Sequence, residues 1–548
     1  MIPRRQVDEF SPPWDTFASF FFARDDLDGE FLVELDHERE TRRTWTVGAW
    51  QTRVAATADW LTVRGVSPGD AVATLAGNSA DALVLAYGCW VLGACVVPLN
   101  PADSPQRQQY ILGDAAAVLL VHTDVTGELA YELHRATGVI AVATSALPQH
   151  ANGSKERGDA ATRLFSGTLD SSGGMAAPAL RVYTSGTTGD PKGVILTVAN
   201  LLTDCDALAL RLDWPADTRV ITVLPVHHVN GLVISVLLPW YSRFSTVLCD
   251  RFRSELFWTD VARERVTVCS VVPSLLEFLL GAPGIVPTRF REFLSGAGPL
   301  LVETALDFEQ RFSVPIRHLY GLSETTAVVT LMPRLPDTER SRWHREYGFP
   351  SIGPPLPHVE VAVLDAQGNT VGATVRGELA ARGAVVMREY ASQPRATEEA
   401  FRGGWFHTGD EGFWEQGPDG QHFFFITGRI KELIIRGGAN ISPFEVDSVL
   451  RSHPAVRHGV AVPFVNRFYG EEIAAYVVGD GQVTEEEILA HCARYLDFAR
   501  CPKVVVFGDD VPYTATGKVK RLELKQRLDP ILSTYRDVQF RRSRTAAT

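Results

Sequence analysis

The sequence predicts an α/β protein: a large N-terminal domain of parallel α/β sheets plus a β-rich subdomain, followed by a small α+β domain. Three observations predict it. Helix-period and short apolar strand-like segments alternate through the first 145 residues and resume after residue 177. From Val359 the texture becomes β-rich and glycine-punctuated. It changes again after "TGRIKELIIRGGAN", Thr427–Asn440, where helices and strands mix on a smaller scale. At 548 residues and 60.2 kDa the chain exceeds one hydrophobic core, so about two to four folding units are expected.

Each element follows from its pattern. "VGAWQTRVAATADWLTVRG" from Val47 repeats apolar residues at three-to-four spacing and predicts a helix. "DAVATLAG" from Asp70 and "GACVVPLN" from Gly93 predict short buried strands of a parallel sheet. Residues 147–177 lose periodicity and fill with Gly, Ser and charge, which predicts a surface excursion rather than a domain boundary. "RVTVCSVV" predicts a strand, "PSLLEFLL" a helix and "PIRHLYG" a strand. "VEVAVLD", "GELAARG" and "HFFFITG" supply the β-rich segment. Beyond it, "EVDSVLRSHP" and "TEEEILAHCARYL" read as helices, and "IAAYVVG" and "KVVVFG" as strands.

Composition narrows the function classes. A net charge of −12 argues against a general nucleic-acid binder, whose footprint is usually basic. The most apolar stretch, near "GLVISVLLPW", has about ten residues, against about 20 needed to span a bilayer. No secretory pattern is visible at the start. Seven scattered cysteines without a CxxC spacing predict neither a disulfide framework nor a zinc site. The expectation is a cytoplasmic protein without a transmembrane segment; oligomeric state is not set by the sequence.

The chemistry is concentrated in "YTSGTTGDPKG", Tyr183–Gly193, between the apolar runs "ALRV" and "VILT". Glycines let backbone N–H groups approach an anion, hydroxyls add donors and Lys192 adds charge. That is a polyphosphate cradle, and it lacks the spacing of a Walker loop. In this order the motif resembles the signature phosphate loop of the adenylate-forming superfamily, which includes acyl-CoA synthetases, aryl-CoA ligases, peptide-synthetase adenylation domains and firefly luciferase. The resemblance runs from about Thr44 to Lys525 through "LPVHHVNG" (Leu224–Gly231), "VVPSLL", "SGAGPL" (Ser295–Leu300), "YGLSETT" (Tyr320–Thr326), "WFHTGD" ending at Asp410, "GRIKELIIRGGANISPFEVD" and "TATGKVKR" (Thr514–Arg521).

What the resemblance implies is written position by position. Thr184, Ser185, Gly186, Thr187, Thr188, Gly189 and Lys192 would hold phosphates. Gly296, Ala297, Gly298, Tyr320, Gly321 and Ser323 would hold the nucleotide, with Ser323 standing where threonine is commoner. Asp410 and Arg429 would hold the ribose. Glu324, with Thr184 nearby, would bind Mg2+, and Lys518 would neutralise charge during adenylation. The C-terminal domain, residues 430–548, would rotate against residues 1–429 about Lys431. Arg436, Gly437 and Gly438 would then line the coenzyme A tunnel.

His227, His228, Val229 and Asn230 would form the acid pocket, with His228 gating the thiol tunnel. Two departures put the usual fatty-chain pocket in doubt: His227 stands where an aromatic, usually Phe, is commoner, and Gly298 where Ala is frequent.

The implied function is an ATP-dependent ligation of a small carboxylic acid to coenzyme A through an acyl-adenylate, with ATP and Mg2+. Three alternatives stand beside it. The acceptor could be a carrier-protein thiol or an amine, or the activated group an oxyanion other than a carboxylate. A regulatory nucleotide binder would lack turnover, and a luciferase-like oxygenase would share every motif.

Overall fold

The computed structural model describes residues 12–149, 174–184, 191–335, 337–347, 350–437, 439–479, 481, 483–513 and 519–540. Most of the expected excursion at 147–177 lies outside these residues. Two large sheets carry the N-terminal domain. One has eight strands; six of them, in the spatial order Ile316–Tyr320, Glu292–Ser295, Val268–Val271, Arg219–Thr222, Ser245–Cys249 and Glu30–Asp36, run parallel. Antiparallel strands Thr330–Leu331 and Thr41–Thr46 close its edges. The other sheet has seven strands, with Ala71–Leu75 and Cys95–Leu99 parallel near its middle. These strands are almost wholly buried, as their uninterrupted apolar runs require of a sheet covered on both faces.

The helices form where caps and apolar periodicity coincide. Thr46 caps Val47–Val63 by accepting the Ala49 N–H, and Ser79 does the same for Ala80–Leu92. Gly93 ends the latter in the left-handed region, at φ 85°. Phe17, Phe21, Phe31, Trp50, Tyr87, Trp90 and Trp240 pack together in the core shared by both sheets. Each large apolar side chain buried there contributes about 1.5–3 kcal/mol.

A four-stranded antiparallel sheet, Val359–Leu364, Gly377–Gly383, Phe406–Gln416 and His422–Arg429, forms the β-rich segment. The smaller C-terminal domain is built on the long hairpin of Val456–Asn466 and Gly470–Gly479, with Val504–Phe507 added in parallel. Helices Pro443–Arg451, Glu485–Tyr495 and Arg521–Leu532 cover it. Two ion pairs reach from this domain to the larger one, Arg451 to Glu277 at 2.7 Å and Glu445 to Arg376 at 2.6 Å. Among the described residues no helix is long and apolar enough to cross a membrane.

Candidate active site

Parallel strands discharge their loops at one edge, and in open α/β sheets ligands bind outside the C-terminal ends of the strands. Four adjacent strands do this in sequence. Ile316–Tyr320 leads into Gly321–Ser323, Glu292–Ser295 into Gly296–Gly298, Val268–Val271 into Val272–Pro273, and Arg219–Thr222 into the segment holding His227–Asn230. At about 4.8 Å per strand, the row is about 14 Å long. The backbone is tightly folded along it: a Cβ on Gly321 would lie 2.1 Å from the Ala327 carbonyl oxygen, so no side chain fits there. Ala297 holds φ 64°, an uncommon conformation for a residue with a side chain. At Gly298 the nearest atom to an added Cβ is Pro273 Cδ at 3.6 Å, so glycine leaves a methyl-sized space unfilled.

One network gathers at the short 3-10 turn Ser323–Thr325. Glu324 is nearly buried, and its Oε1 accepts the Tyr390 hydroxyl at 3.0 Å. The Tyr390 ring in turn lies 4.7 Å from Lys192 Nζ, a cation–π distance. Burial and the Glu324 carboxylate push the Tyr390 phenol well up, which keeps it a donor. Thr184 and Lys192 face each other across the antiparallel pair Pro178–Thr184 and Lys192–Thr197. The motif's two ends are thus held together at the base of a hairpin. Tyr390 pairs with Val194 in the same sheet, and the Met387 N–H donates to the Glu324 carbonyl at 2.7 Å. Below the turn, the fully buried Asp204 accepts the Val328 N–H at 3.2 Å, and burial raises its carboxyl pKa.

A second network starts four residues earlier. The Tyr320 hydroxyl donates to Asp410 Oδ2 at 2.7 Å, and Arg429 Nε lies 3.0 Å from Asp410 Oδ1. Asp410 and Arg429 are register partners across neighbouring antiparallel strands, which explains how a separation of many residues becomes one contact. The Asp410 N–H donates to Thr408 Oγ1 at 3.1 Å, fixing the turn. Immediately beyond Arg429, Lys431 is exposed in the single 3-10 turn Ile430–Glu432.

The segment His227–Asn230 carries polar side chains. His227 and His228 sit with ring centroids 4.5 Å apart. Neither His227 ring nitrogen has a hydrogen-bond partner among the described residues, and both are shielded from solvent. Burial, reinforced by the neighbouring imidazole, pushes His227 down to about 3, so it is neutral at ordinary pH. Asn230 Oδ1 accepts the Ser270 hydroxyl at 2.7 Å, and Val229 packs against the shared core. From Asn230 to Leu237 the chain is π-helical, a form found mostly as short segments near functional sites.

Ser185, Gly186, Thr187, Thr188, Gly189, Gly438 and Lys518 lie outside the described residues. Arg436 does not present a free guanidinium: it is buried and paired with Glu472 at 2.8 and 2.9 Å, with the Tyr469 ring 4.0 Å away. The adjoining Gly437 is exposed, with φ 57°, and donates its N–H to the Tyr469 carbonyl at 2.7 Å. Sequence reasoning missed Tyr390 and Ser270. Each lies in a short strand, and nothing local distinguishes them from core residues.

The chain is similar to known proteins over most of its length. The AMP-binding enzyme family model matches residues 23–391, and the model of the AMP-binding enzyme C-terminal domain matches 445–518. The chain is 35% identical over 491 residues to a sulfoacetate–CoA ligase of Cupriavidus necator, covering 87% of this chain and 92% of that one. It is 32% identical over 471 residues to an oxalate–CoA ligase of Arabidopsis thaliana, covering 83% and 88%. The crystal structure of ATP-bound MatB from Rhodopseudomonas palustris superposes with a TM-score of 0.80 at 26% identity, covering 94% of this chain and 99% of that one. The chain belongs to the AMP-binding enzyme family, within the adenylate-forming superfamily of acyl- and aryl-CoA synthetases.

Proposed function

We propose that this protein ligates a short, polar carboxylic acid to coenzyme A at the expense of ATP, through an acyl-adenylate. The observation that carries the site reading is the pair of networks joined by one loop. Tyr320 ties the loop to Asp410 and Arg429, while Glu324 ties it through Tyr390 to Lys192. Asp410 can accept both ribose hydroxyls, with Arg429 beside it. Gly296–Gly298 and Tyr320–Gly321 then border the base, and the Thr184–Lys192 hairpin takes the phosphates.

The acid's carboxylate oxygen attacks the α-phosphorus, the bond to the pyrophosphate oxygen breaks, and pyrophosphate leaves. Lys518 lowers repulsion between the two anions and stabilises the five-coordinate phosphorus. Glu324, with the Thr184 hydroxyl, would hold Mg2+, which favours one or two carboxylates plus phosphate oxygens. When bound, the ion offsets charge on the departing pyrophosphate. Thiol attack on the acyl carbon then releases AMP. For this the C-terminal domain, residues 430–548, turns about Lys431 against residues 1–429, bringing Gly437 and Gly438 towards the pantetheine path while His228 opens the acyl end. Arg436, through Glu472, anchors that loop. The location proposed is the cytoplasm.

The acid class rests on the polar His227–Asn230 end, the space beside Gly298, and the small diacids named for the two relatives. Pyrophosphate release is to be measured across fatty, aryl and short dicarboxylic or sulfonated acids, with and without coenzyme A. Turnover restricted to short polar acids and dependent on coenzyme A is the expected outcome. Turnover indifferent to coenzyme A would move the acceptor to a carrier-protein thiol or an amine. A preference for fatty acids would overturn the acid class.

A further inference from the structure

The strand Phe406–Gln416 does not run evenly beside its neighbour Gly377–Gly383. Ala380 pairs with His407 and Glu378 with Glu411, so the three residues Thr408–Asp410 stand opposite Leu379 alone. A bulge of this kind breaks the ladder locally and re-aims a side chain, often next to an active site. Here the re-aimed side chain is Asp410, which meets Tyr320 and Arg429. Gly409 passes through the left-handed region at φ 74°, which glycine adopts without steric cost. Regular pairing continues on both sides, at Gly377 with Gly412 and Ala381 with Phe406. The irregularity is confined to the turn that carries Asp410.

Side-chain groups take over where the ladder stops. Glu378 Oε1 accepts the Gly409 N–H at 3.0 Å, and the Thr408 hydroxyl donates to the Leu379 carbonyl at 2.6 Å. The second oxygen of Glu378 is held as well: Arg402 Nη2 donates to Oε2 at 2.9 Å, and His407 Nδ1 lies 2.7 Å from the same atom. A strand glutamate is ordinarily solvated, yet this side chain is only 15% exposed. Tethered at both oxygens, it is a fixed acceptor, and a hydrogen bond to an ionised acceptor is stronger than one between neutral groups. The N–H it holds belongs to the residue immediately before Asp410.

We infer that Glu378 is a positioning residue for nucleotide binding: it holds the Gly409 N–H and thereby fixes the bulge that presents Asp410 to the ribose hydroxyls. The inference rests on the ribose site proposed above. Glu378 acts through Asp410 and is not itself a ligand of the sugar.

The test measures the Kd of ATP and of 2′-deoxy-ATP by titration calorimetry in wild type, Glu378→Ala, Glu378→Gln, Asp410→Ala and the double variant Glu378→Ala/Asp410→Ala. The wild type is expected to bind ATP more tightly than 2′-deoxy-ATP, and Asp410→Ala to lose that preference. Glu378→Ala is expected to lose about 3- to 10-fold of it. Glu378→Gln, which keeps an oxygen acceptor for the Gly409 N–H, should recover part. In the Asp410→Ala background, Glu378→Ala should weaken ATP binding much less than it does alone. A purely structural role would weaken both nucleotides together and leave their ratio intact. A wild-type ratio in Glu378→Ala, with the ratio lost in Asp410→Ala, overturns the role of Glu378 while the ribose site stands. A wild-type ratio in Asp410→Ala overturns the ribose site and the inference with it. Equal weakening by Glu378→Ala in both backgrounds also overturns the inference. If Glu378→Ala does not fold, Glu378→Asp, one methylene short of Gly409, decides the matter: a wild-type ratio there overturns the inference.

Discussion

Tyr390→Phe removes one oxygen from the site and tests whether Glu324 is positioned by that oxygen. The hydroxyl donates to Glu324 Oε1 at 3.0 Å in a place where both residues are nearly buried. A hydrogen bond to a charged group contributes about 1.5–3 kcal/mol. Water and metal can partly replace the lost donor, so the lower end applies, about 1.5 kcal/mol or tenfold. The loss should appear as a higher Mg2+ requirement and about tenfold lower kcat/KM for ATP. Tyr390→Leu also removes the ring near Lys192, 4.7 Å away. An exposed cation–π contact contributes about 0.5–1 kcal/mol, so a further two- to fivefold fall is expected. The assay is pyrophosphate release titrated with Mg2+ at fixed ATP, beside a thermal melt. Wild-type Mg2+ dependence and rate in folded Tyr390→Phe would refute the reasoning, because the network would then not position Glu324.

Four further outcomes follow. Asp410→Ala removes the acceptor facing Arg429 and should raise the KM for ATP by about 10- to 100-fold, with a smaller penalty for 2′-deoxy-ATP than in wild type; equal penalties would remove Asp410 from the ribose. Lys518→Ala should slow acyl-AMP formation by about 100-fold or more and leave thiolysis of preformed acyl-AMP largely intact; equal losses in both half-reactions would contradict its role. Glu472→Ala leaves the buried Arg436 guanidinium unpaired and should destabilise the C-terminal domain by about 3–5 kcal/mol, read by chemical denaturation; an unchanged midpoint would contradict the loop anchor. Burial holds His318 down at about 4, so the unfolded chain takes up its proton first as pH falls, and stability drops from about pH 6.5 towards 4 by about 3 kcal/mol for this residue. The difference between wild type and His318→Gln at pH 7.5 and 5 isolates it; a difference independent of pH would contradict the buried neutral ring.

How far the sequence could be read depended on the range of each interaction. Strands such as Val268–Val271 and helices such as Glu485–Tyr495 were legible because period and capping are local, as in the Thr484–Glu487 capping box. The pairing of Thr184 with Lys192 was legible because the two residues are close in sequence and lie on successive strands. Asp410 and Arg429 could be named separately, but only the register of two strands shows that they touch. Tyr390 joins the site through a two-residue strand and a contact 66 residues away in sequence, which no local pattern encodes. Arg436 looked available because its loop is glycine-rich, whereas its partner Glu472 lies in the next hairpin. The unusual character of His227 was visible in the motif; that its nitrogens are buried and unmet by the described residues required the folded chain.

The most direct measurement of the central claim follows oxygen atoms. The accepted acid is labelled with 18O in its carboxylate and turned over with ATP and coenzyme A, and the products are weighed by mass spectrometry. Attack of the carboxylate on the α-phosphorus predicts one 18O atom in each AMP and none in pyrophosphate. AMP without label, or label in pyrophosphate, would contradict an acyl-adenylate.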